Sequence, residues 1–103
     1  MHSNDAQMLV LTVLADAPLH GYAINTAIET LTGARLGPGS LYGALARLEA
    51  RDLVEPVGEA ADAQHRHRTV RITDAGRTTL CTELKQMARV SQAGLRALGI
   101  APA

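Results

Sequence analysis

The last quarter of this 103-residue chain carries a helical pattern too long for the chain itself to cover. From Leu80 to Leu98, apolar and small residues recur in steps of four and three, which is the spacing of a coiled-coil seam. The pattern predicts a helix over about residues 74–98. Because a chain this small buries only roughly 60–65% of its unfolded surface, a second copy would add stability. We therefore predict a homodimer with these residues at the contact: Leu80, Leu84, Met87, Ser91, Leu95 and Leu98.

Three shorter helical patterns precede this segment. The first covers about residues 4–16 and the second begins at His20. Gly33 follows the second, where a glycine in the left-handed conformation would end a helix. The third begins near Pro38, a residue suited to the first turn because it has no N–H to leave unpaired. The sequence therefore predicts three consecutive helices in the first half of the chain.

Two strand patterns follow the third helix. Residues 53–57 are short and include a proline, which confines a strand to the edge of a sheet. Residues 69–73 alternate between apolar and polar side chains, as a half-buried strand does. Three helices followed by a two-stranded hairpin predict a mainly α (α+β) winged helix-turn-helix fold. We assign residues 1–73 to this domain and residues 74–103 to a C-terminal dimerisation helix and tail.

In a winged helix-turn-helix fold, the third helix enters the DNA major groove and the hairpin reaches the backbone or minor groove. The outward face of the third helix, about residues 38–51, is small, so its backbone could approach DNA closely. Its N-terminus would offer N–H groups to a phosphate, and Arg47 could pair with guanine. The alternatives are that the glycines only form a turn, that Arg47 pairs with a neighbouring acid, and that Tyr42 packs against the second helix. The predicted contacts on this helix are Gly39, Ser40, Tyr42, Gly43 and Arg47.

Charge is divided unevenly along a chain whose net charge is zero. Residues 1–62 carry three arginines and eight acids, whereas residues 63–103 carry seven basic residues and two acids. Within the basic stretch 64–71, Arg66 and Arg68 are two residues apart and would share one face of a strand. We predict that both contact the DNA backbone, and the alternative is a solvated wing tip.

Other classes of function find little support in the sequence. His65 and His67 supply only half of a tetrahedral metal site, so we predict no metal ion. Neither a catalytic triad nor a phosphate-binding loop is present, so we predict neither an enzyme nor a bound cofactor.

The single cysteine, Cys81, fits a reducing cytoplasm. We expect it to be a small buried residue, with a disulfide between two chains as the alternative. The apolar run at residues 8–15 is too short to span a bilayer, so we expect a cytoplasmic protein that does not enter the membrane.

Four ordered blocks of the sequence resemble the PadR family of bacterial transcriptional regulators. They are APLHGYAI at 17–24, GPGSLYGALARLE at 37–49, DLVEP at 52–56 and RTVRITDAGR at 68–77. Together the resemblance covers about residues 8–85. It implies a homodimeric winged-helix repressor that binds palindromic operator DNA and releases it when a small molecule binds. It also indicates the branch of the family with a single C-terminal dimerisation helix.

The resemblance extends to individual positions of the third helix. Ser40, Leu41 and Tyr42 fall on the family's Thr/Ser-Leu-Tyr, and Arg47 falls on its usual basic residue. Gly43 departs from the family pattern, which usually has proline there. No residue pattern identifies the small-molecule effector that the resemblance implies. A winged-helix module that binds another protein and not DNA is the alternative function, favoured by the zero net charge.

Overall fold

The computed structural model describes residues 3–58 and 68–100. Within these ranges the predicted order of helices and strands is confirmed, and so is the winged helix-turn-helix fold. The helices are α1 (Ser3–Leu14), α2 (Gly21–Thr32), α3 (Pro38–Ala50) and α4 (Asp74–Ala97). The strands are β1 (Leu19–His20), β2 (Val54–Pro56) and β3 (Thr69–Ile72).

Local signals in the sequence set most of the helix ends. His20 caps α2, because its Nδ1 accepts a hydrogen bond from the backbone N–H of Ala23 at 3.3 Å. Gly33 ends the same helix with a φ of 85°, a conformation that costs glycine little. Thr73 caps α4, because its Oγ1 accepts from the N–H of Gly76 at 3.0 Å. Such a side-chain cap satisfies one of the donors that a helix N-terminus leaves unpaired.

The sheet has one strand more than the predicted hairpin. Its strand order is β1-β3-β2, with both neighbours antiparallel to β3. In β1, Leu19 lies opposite Val70 and His20 lies opposite Thr69. A strand of two residues is too short to show alternation in the sequence, and it forms because the turn before α2 passes beside β3. Pro56 lies on the edge strand β2, as predicted.

The hydrophobic core is aliphatic and joins all four helices to the sheet. Its most deeply buried side chains come from α1, α2 and α3: Val10, Leu11, Leu14, Ile24, Ile28 and Leu48. From α4 the core receives Leu80, which is 5% exposed. Leu80 was predicted to lie in the dimer seam, but it packs inside its own chain because the first turns of α4 lie against α1 and β3. The exposed part of the seam therefore begins after Leu80.

A compact joint connects the end of α3 to the start of α4. Leu53 accepts a hydrogen bond from the N–H of Thr73 at 3.0 Å, and the Thr73 hydroxyl donates to the carbonyl of Asp52 at 2.7 Å. Asp52 adopts a positive φ of 58°, which turns the chain sharply after α3. A Cβ at Gly76 would overlap the Leu53 carbonyl and lie 2.7 Å from Cγ1 of Ile72. We call these four residues, Asp52, Leu53, Thr73 and Gly76, the α3–α4 joint.

We expect Gly76→Ala to destabilise the protein, because the added methyl group would collide with backbone that cannot move without displacing β2. Overpacking of this kind costs about 1–3 kcal/mol of unfolding free energy. Gly39→Ala is the matched control, since nothing lies within 4 Å of its Cβ position and alanine favours the helix. Urea unfolding of both variants measures the difference. Equal stability of the two variants would contradict a close contact at the joint.

Candidate nucleic-acid interface

The outward face of α3 is made of small side chains. Leu41, Ala44, Leu45 and Leu48 turn into the core, and the opposite side faces solvent. Gly39, Ser40 and Arg47 are exposed, whereas Gly43 is half-buried. A Cβ at Gly39 would meet nothing within 4 Å, so this part of the helix surface lies close to the backbone. The face can therefore approach a flat or grooved partner closely.

The N-terminus of α3 is open to an anion. Gly37 is the N-cap residue, and within the described part of the chain no side chain caps this end. Pro38 has no N–H, and the first bond of the helix runs from the N–H of Leu41 to the carbonyl of Gly37 at 2.9 Å. The N–H groups of Gly39 and Ser40 therefore lack intrahelical acceptors. Together with the positive end of the helix dipole, such groups form a binding site for phosphate.

Arg47 supplies a cation one turn further along the same face. Its Nη1 lies 3.4 Å from the Cβ position of Gly43, so the side chain extends back over the glycine. Within residues 3–58 and 68–100, no hydrogen bond or ion pair engages its guanidinium. The alternative of a pair with the neighbouring Glu49 does not occur, because that carboxylate binds Arg68.

Tyr42 lies on the flank of α3 that faces α2. It is half-buried and packs against the core, which corresponds to the packing alternative. Beside it is a cavity of about 430 Å³ between the two helices. Tyr22 stacks on His20 at its rim, with ring centroids 6.5 Å apart, and the Arg35 guanidinium lies 5.4 Å from the centre of the Tyr22 ring.

Asn25 holds the turn between α2 and α3. Its Nδ2 donates to the carbonyl of Leu36 at 2.8 Å, and its Oδ1 accepts from the N–H of the same residue at 2.9 Å. Both polar groups of Leu36 are thus satisfied by one side chain, which orients the start of α3. Sequence reasoning did not identify this residue, because its partner is 11 positions away and no local pattern marks the pair.

The predicted wing contacts fall partly outside the described residues. Arg66 lies there, as do His65 and His67, so the proposed phosphate contact of Arg66 stays a prediction. Arg68 differs from the expectation of an exposed phosphate ligand. Its side chain is 13% exposed, and its Nη2 donates to Oε1 of Glu49 in α3, because β3 begins beside the last turn of that helix.

A second long-range contact joins the end of α3 to α1. Nη1 of Arg51 donates to Oε1 of Gln7 at 2.6 Å, and Gln7 is 7% exposed. Without this bond, the amide oxygen of Gln7 would be buried without a hydrogen-bond donor, which would lower the free energy of unfolding. Sequence reasoning missed it too, since 44 positions separate the two residues.

Most of α4 is uncovered. From Cys81 to Ile100 every residue is exposed except Leu95, which is half-buried. Met87 is 52% exposed and Leu98 is 75% exposed. Cys81 was expected to be buried, but in the single chain it is exposed. We call the remaining residues of the predicted seam the α4 stripe: Leu84, Met87, Ser91, Leu95 and Leu98.

Two other kinds of site receive no support from the described part of the chain. No group of three or more His, Cys, Asp or Glu residues is placed to hold a metal ion there. Within the same ranges, no helix combines the length and the apolar character needed to cross a bilayer.

Comparison with known proteins places these features in a family. The sequence profile of the PadR-like family of transcriptional regulators matches residues 10–82. An uncharacterized 37.1 kDa protein in transposon TN4556 of Streptomyces fradiae is 62% identical over 91 residues. The match covers 88% of this chain and 25% of that protein, so the chain spans about a quarter of its curated relative.

Solved structures share the fold. A PadR-like transcriptional regulator from Bacillus cereus superposes with a TM-score of 0.75 at 22% identity, covering 89% of each chain. A putative transcriptional regulator from Thermoplasma acidophilum has a TM-score of 0.66 at 29% identity, covering 93% of this chain and 92% of its own.

We expect Asn25→Ala to loosen the turn before α3. Two hydrogen bonds to the backbone of Leu36 would be lost in a half-buried site, which costs about 1–3 kcal/mol of unfolding free energy. Thr26→Ala is the matched control, because it truncates an exposed side chain at the neighbouring position of α2. Thermal unfolding should place Asn25→Ala below both the wild type and Thr26→Ala. An unchanged midpoint for Asn25→Ala would show that the clamp does not stabilise the turn.

Proposed function

The chain belongs to the PadR-like family of transcriptional regulators, and we propose that two copies of it bind operator DNA as a sequence-specific repressor. Regulators of this family bind DNA and are not enzymes, which agrees with the class predicted from the sequence. We propose which residues contact DNA, how two copies pair, and that binding represses transcription.

The observation that carries the proposal is the surface of α3. One helix face combines an open N-terminus, small side chains and an exposed arginine that has no partner in the described ranges. These three features match the three needs of a helix in the major groove: a phosphate anchor, close approach and a group that distinguishes bases. The face of Gly39, Ser40 and Gly43 would rest against the DNA, and Arg47 would reach a guanine edge.

The remaining contacts are assigned by position. Tyr42 lies on the flank of α3, and from its half-buried site the hydroxyl would be able to reach a backbone phosphate at the groove wall. Arg66 lies in the basic stretch 64–71 between β2 and β3, where a wing meets the DNA backbone. A small-molecule effector stays a prediction that follows from the family resemblance alone.

A dimer would present two copies of the α3 surface to DNA. The α4 stripe is an apolar surface of coiled-coil spacing that is largely exposed within the described residues. Covering it with a second copy would remove this area from water at roughly 25 cal/mol per Å² of apolar surface. The pairing would also hold two α3 helices roughly 34 Å apart, the distance between successive major-groove faces of B-form DNA.

We expect Arg47→Ala to lower operator affinity by about 1–3 kcal/mol and to relax sequence preference, because a base contact is lost. Arg66→Ala should weaken binding equally on all sequences and flatten the slope of log K against log salt by about 0.9, because a phosphate contact is lost. Gel-shift titrations on the upstream region of the chain's own gene, at several salt concentrations, measure both effects. The wild-type slope should be about −5 to −7 if six to eight phosphates are neutralised.

Arg96→Ala is the control for this experiment, since it removes one positive charge from the last turn of α4, roughly 30 Å along the helix from the α3–α4 joint. If Arg47→Ala and Arg66→Ala bind as Arg96→Ala does, the assigned contacts are wrong. If the wild type fails to retard any DNA at low salt, a winged-helix module for protein binding becomes the better account.

We expect Met87→Glu to weaken the dimer by roughly tenfold or more, because a charge would be buried in the apolar seam. Thr82→Glu is the matched control: it adds the same charge at an exposed position on the other side of α4. Sedimentation equilibrium at micromolar concentration distinguishes the variants. A wild-type chain that sediments as a monomer, or equal effects of the two variants, would contradict pairing through the α4 stripe.

A further inference from the structure

A half-buried ion pair joins the wing to the predicted recognition helix. Nη2 of Arg68, the residue before β3, donates to Oε1 of Glu49 in the last turn of α3. The two side chains are 13% and 27% exposed. The other ion pair of the hairpin, Arg71 with Glu55, is a cross-strand pair at 2.8 Å whose side chains are 57% and 42% exposed. Of these two pairs, the one that reaches α3 is the more deeply enclosed.

The position of Glu49 on α3 determines where the wing is attached. At 3.6 residues per turn, residues seven apart lie almost in line along a helix, whereas residues two apart lie on nearly opposite sides. Glu49 is therefore in line with Tyr42 on one flank, and Arg47 lies on the other. An anchor at Glu49 draws the start of β3 to the Tyr42 flank and leaves the Arg47 side of the helix uncovered.

The pair also neutralises an acid on the helix that is proposed to meet DNA, on the flank opposite Arg47. Removing one member of an enclosed ion pair leaves a charge without compensation, which is strongly unfavourable. Without Arg68, the Glu49 carboxylate would stand on the recognition helix and repel the phosphate backbone. The pair thus has two consequences, one for the position of the wing and one for the charge of the helix.

We infer that Arg68 is a positioning residue that holds the wing against α3 through Glu49, and not a phosphate ligand. This inference rests on the DNA binding proposed above, and it replaces the role that the sequence suggested for Arg68. Base and phosphate contacts then fall to Arg47 and Arg66, while the Glu49–Arg68 pair sets the angle between the helix and the wing that carry them.

The test is a cycle of Glu49→Gln, Arg68→Gln and the double variant, each titrated on operator DNA and on unrelated DNA of the same length at several salt concentrations. Arg68→Gln should lower operator affinity about tenfold, because it exposes the carboxylate and frees the wing. The double variant should recover most of that loss, because two amides restore a hydrogen bond and remove the unpaired charge. Its salt slope should equal that of the wild type, since no phosphate contact has been removed.

A direct phosphate contact predicts a different pattern. The slope would then flatten by about 0.9 in both Arg68→Gln and the double variant, and this outcome would overturn the positioning role while leaving DNA binding intact. A wild-type chain that binds neither DNA overturns the proposed function itself, and with it the role of Arg68 in binding. The two failures are therefore distinguishable.

Thermal unfolding of the same variants gives a readout that does not depend on DNA. Arg68→Gln should lower the Tm by roughly 5–10 °C, and adding Glu49→Gln should restore part of the loss. The matched control is the cycle of Glu55→Gln and Arg71→Gln, in which the exposed pair should show little coupling. Equal coupling in the two cycles would mean that the Glu49–Arg68 pair behaves as an ordinary surface pair, and would overturn the inference.

Discussion

The contact between Gly76 and the carbonyl of Leu53 links the two surfaces on which this protein's proposed activity depends. It lets the first turn of α4 lie directly on the backbone that leaves α3, and Thr73 secures it with hydrogen bonds to Asp52 and Leu53. Because neither backbone can shift independently, the direction of α4 is determined by that of α3. In a dimer paired through α4, the spacing of the two α3 helices would follow from this joint rather than from a flexible connection.

Three ion pairs within the described residues use acids from α2, α3 and β2. Arg35 pairs with Glu29, Arg71 with Glu55 and Arg68 with Glu49. Because these acids are paired with other arginines, a chain with a net charge of zero can still present Arg47 as an exposed cation. Arg47 stands exposed on a face of small residues, so its guanidinium is available to a partner without competition from a neighbouring carboxylate.

The core is small and aliphatic, and many apolar residues of α4 lie outside it. The sequence has no Phe or Trp, so the interior is filled by Leu, Val, Ile and Ala, and the two tyrosines lie at the α2–α3 cavity. Further apolar side chains lie on α4, where Leu84, Met87 and Leu98 are exposed. The apolar residues of the sequence thus divide between a core inside the chain and a stripe on α4 that is proposed to pair two chains.

Local chemistry allowed the sequence alone to determine the order of the helices, most of their ends and the outward face of α3. Pro38, Gly33 and Thr73 act within a few residues of themselves, so their effects can be inferred without knowing the rest of the fold. The periodicity of α3 likewise separates its buried side from its outward side, and this is why the candidate face could be predicted.

The tertiary structure alone decided the contacts between distant segments. The strand β1 forms only because β3 passes beside it, and Leu80 enters the core only because α4 begins against α1 and β3. The partner of Arg68 was decided in the same way, since Glu49 is 19 positions away in the chain. Hydrophobic periodicity records which side of an element is buried but not which element covers it, because many neighbours could satisfy the same apolar pattern.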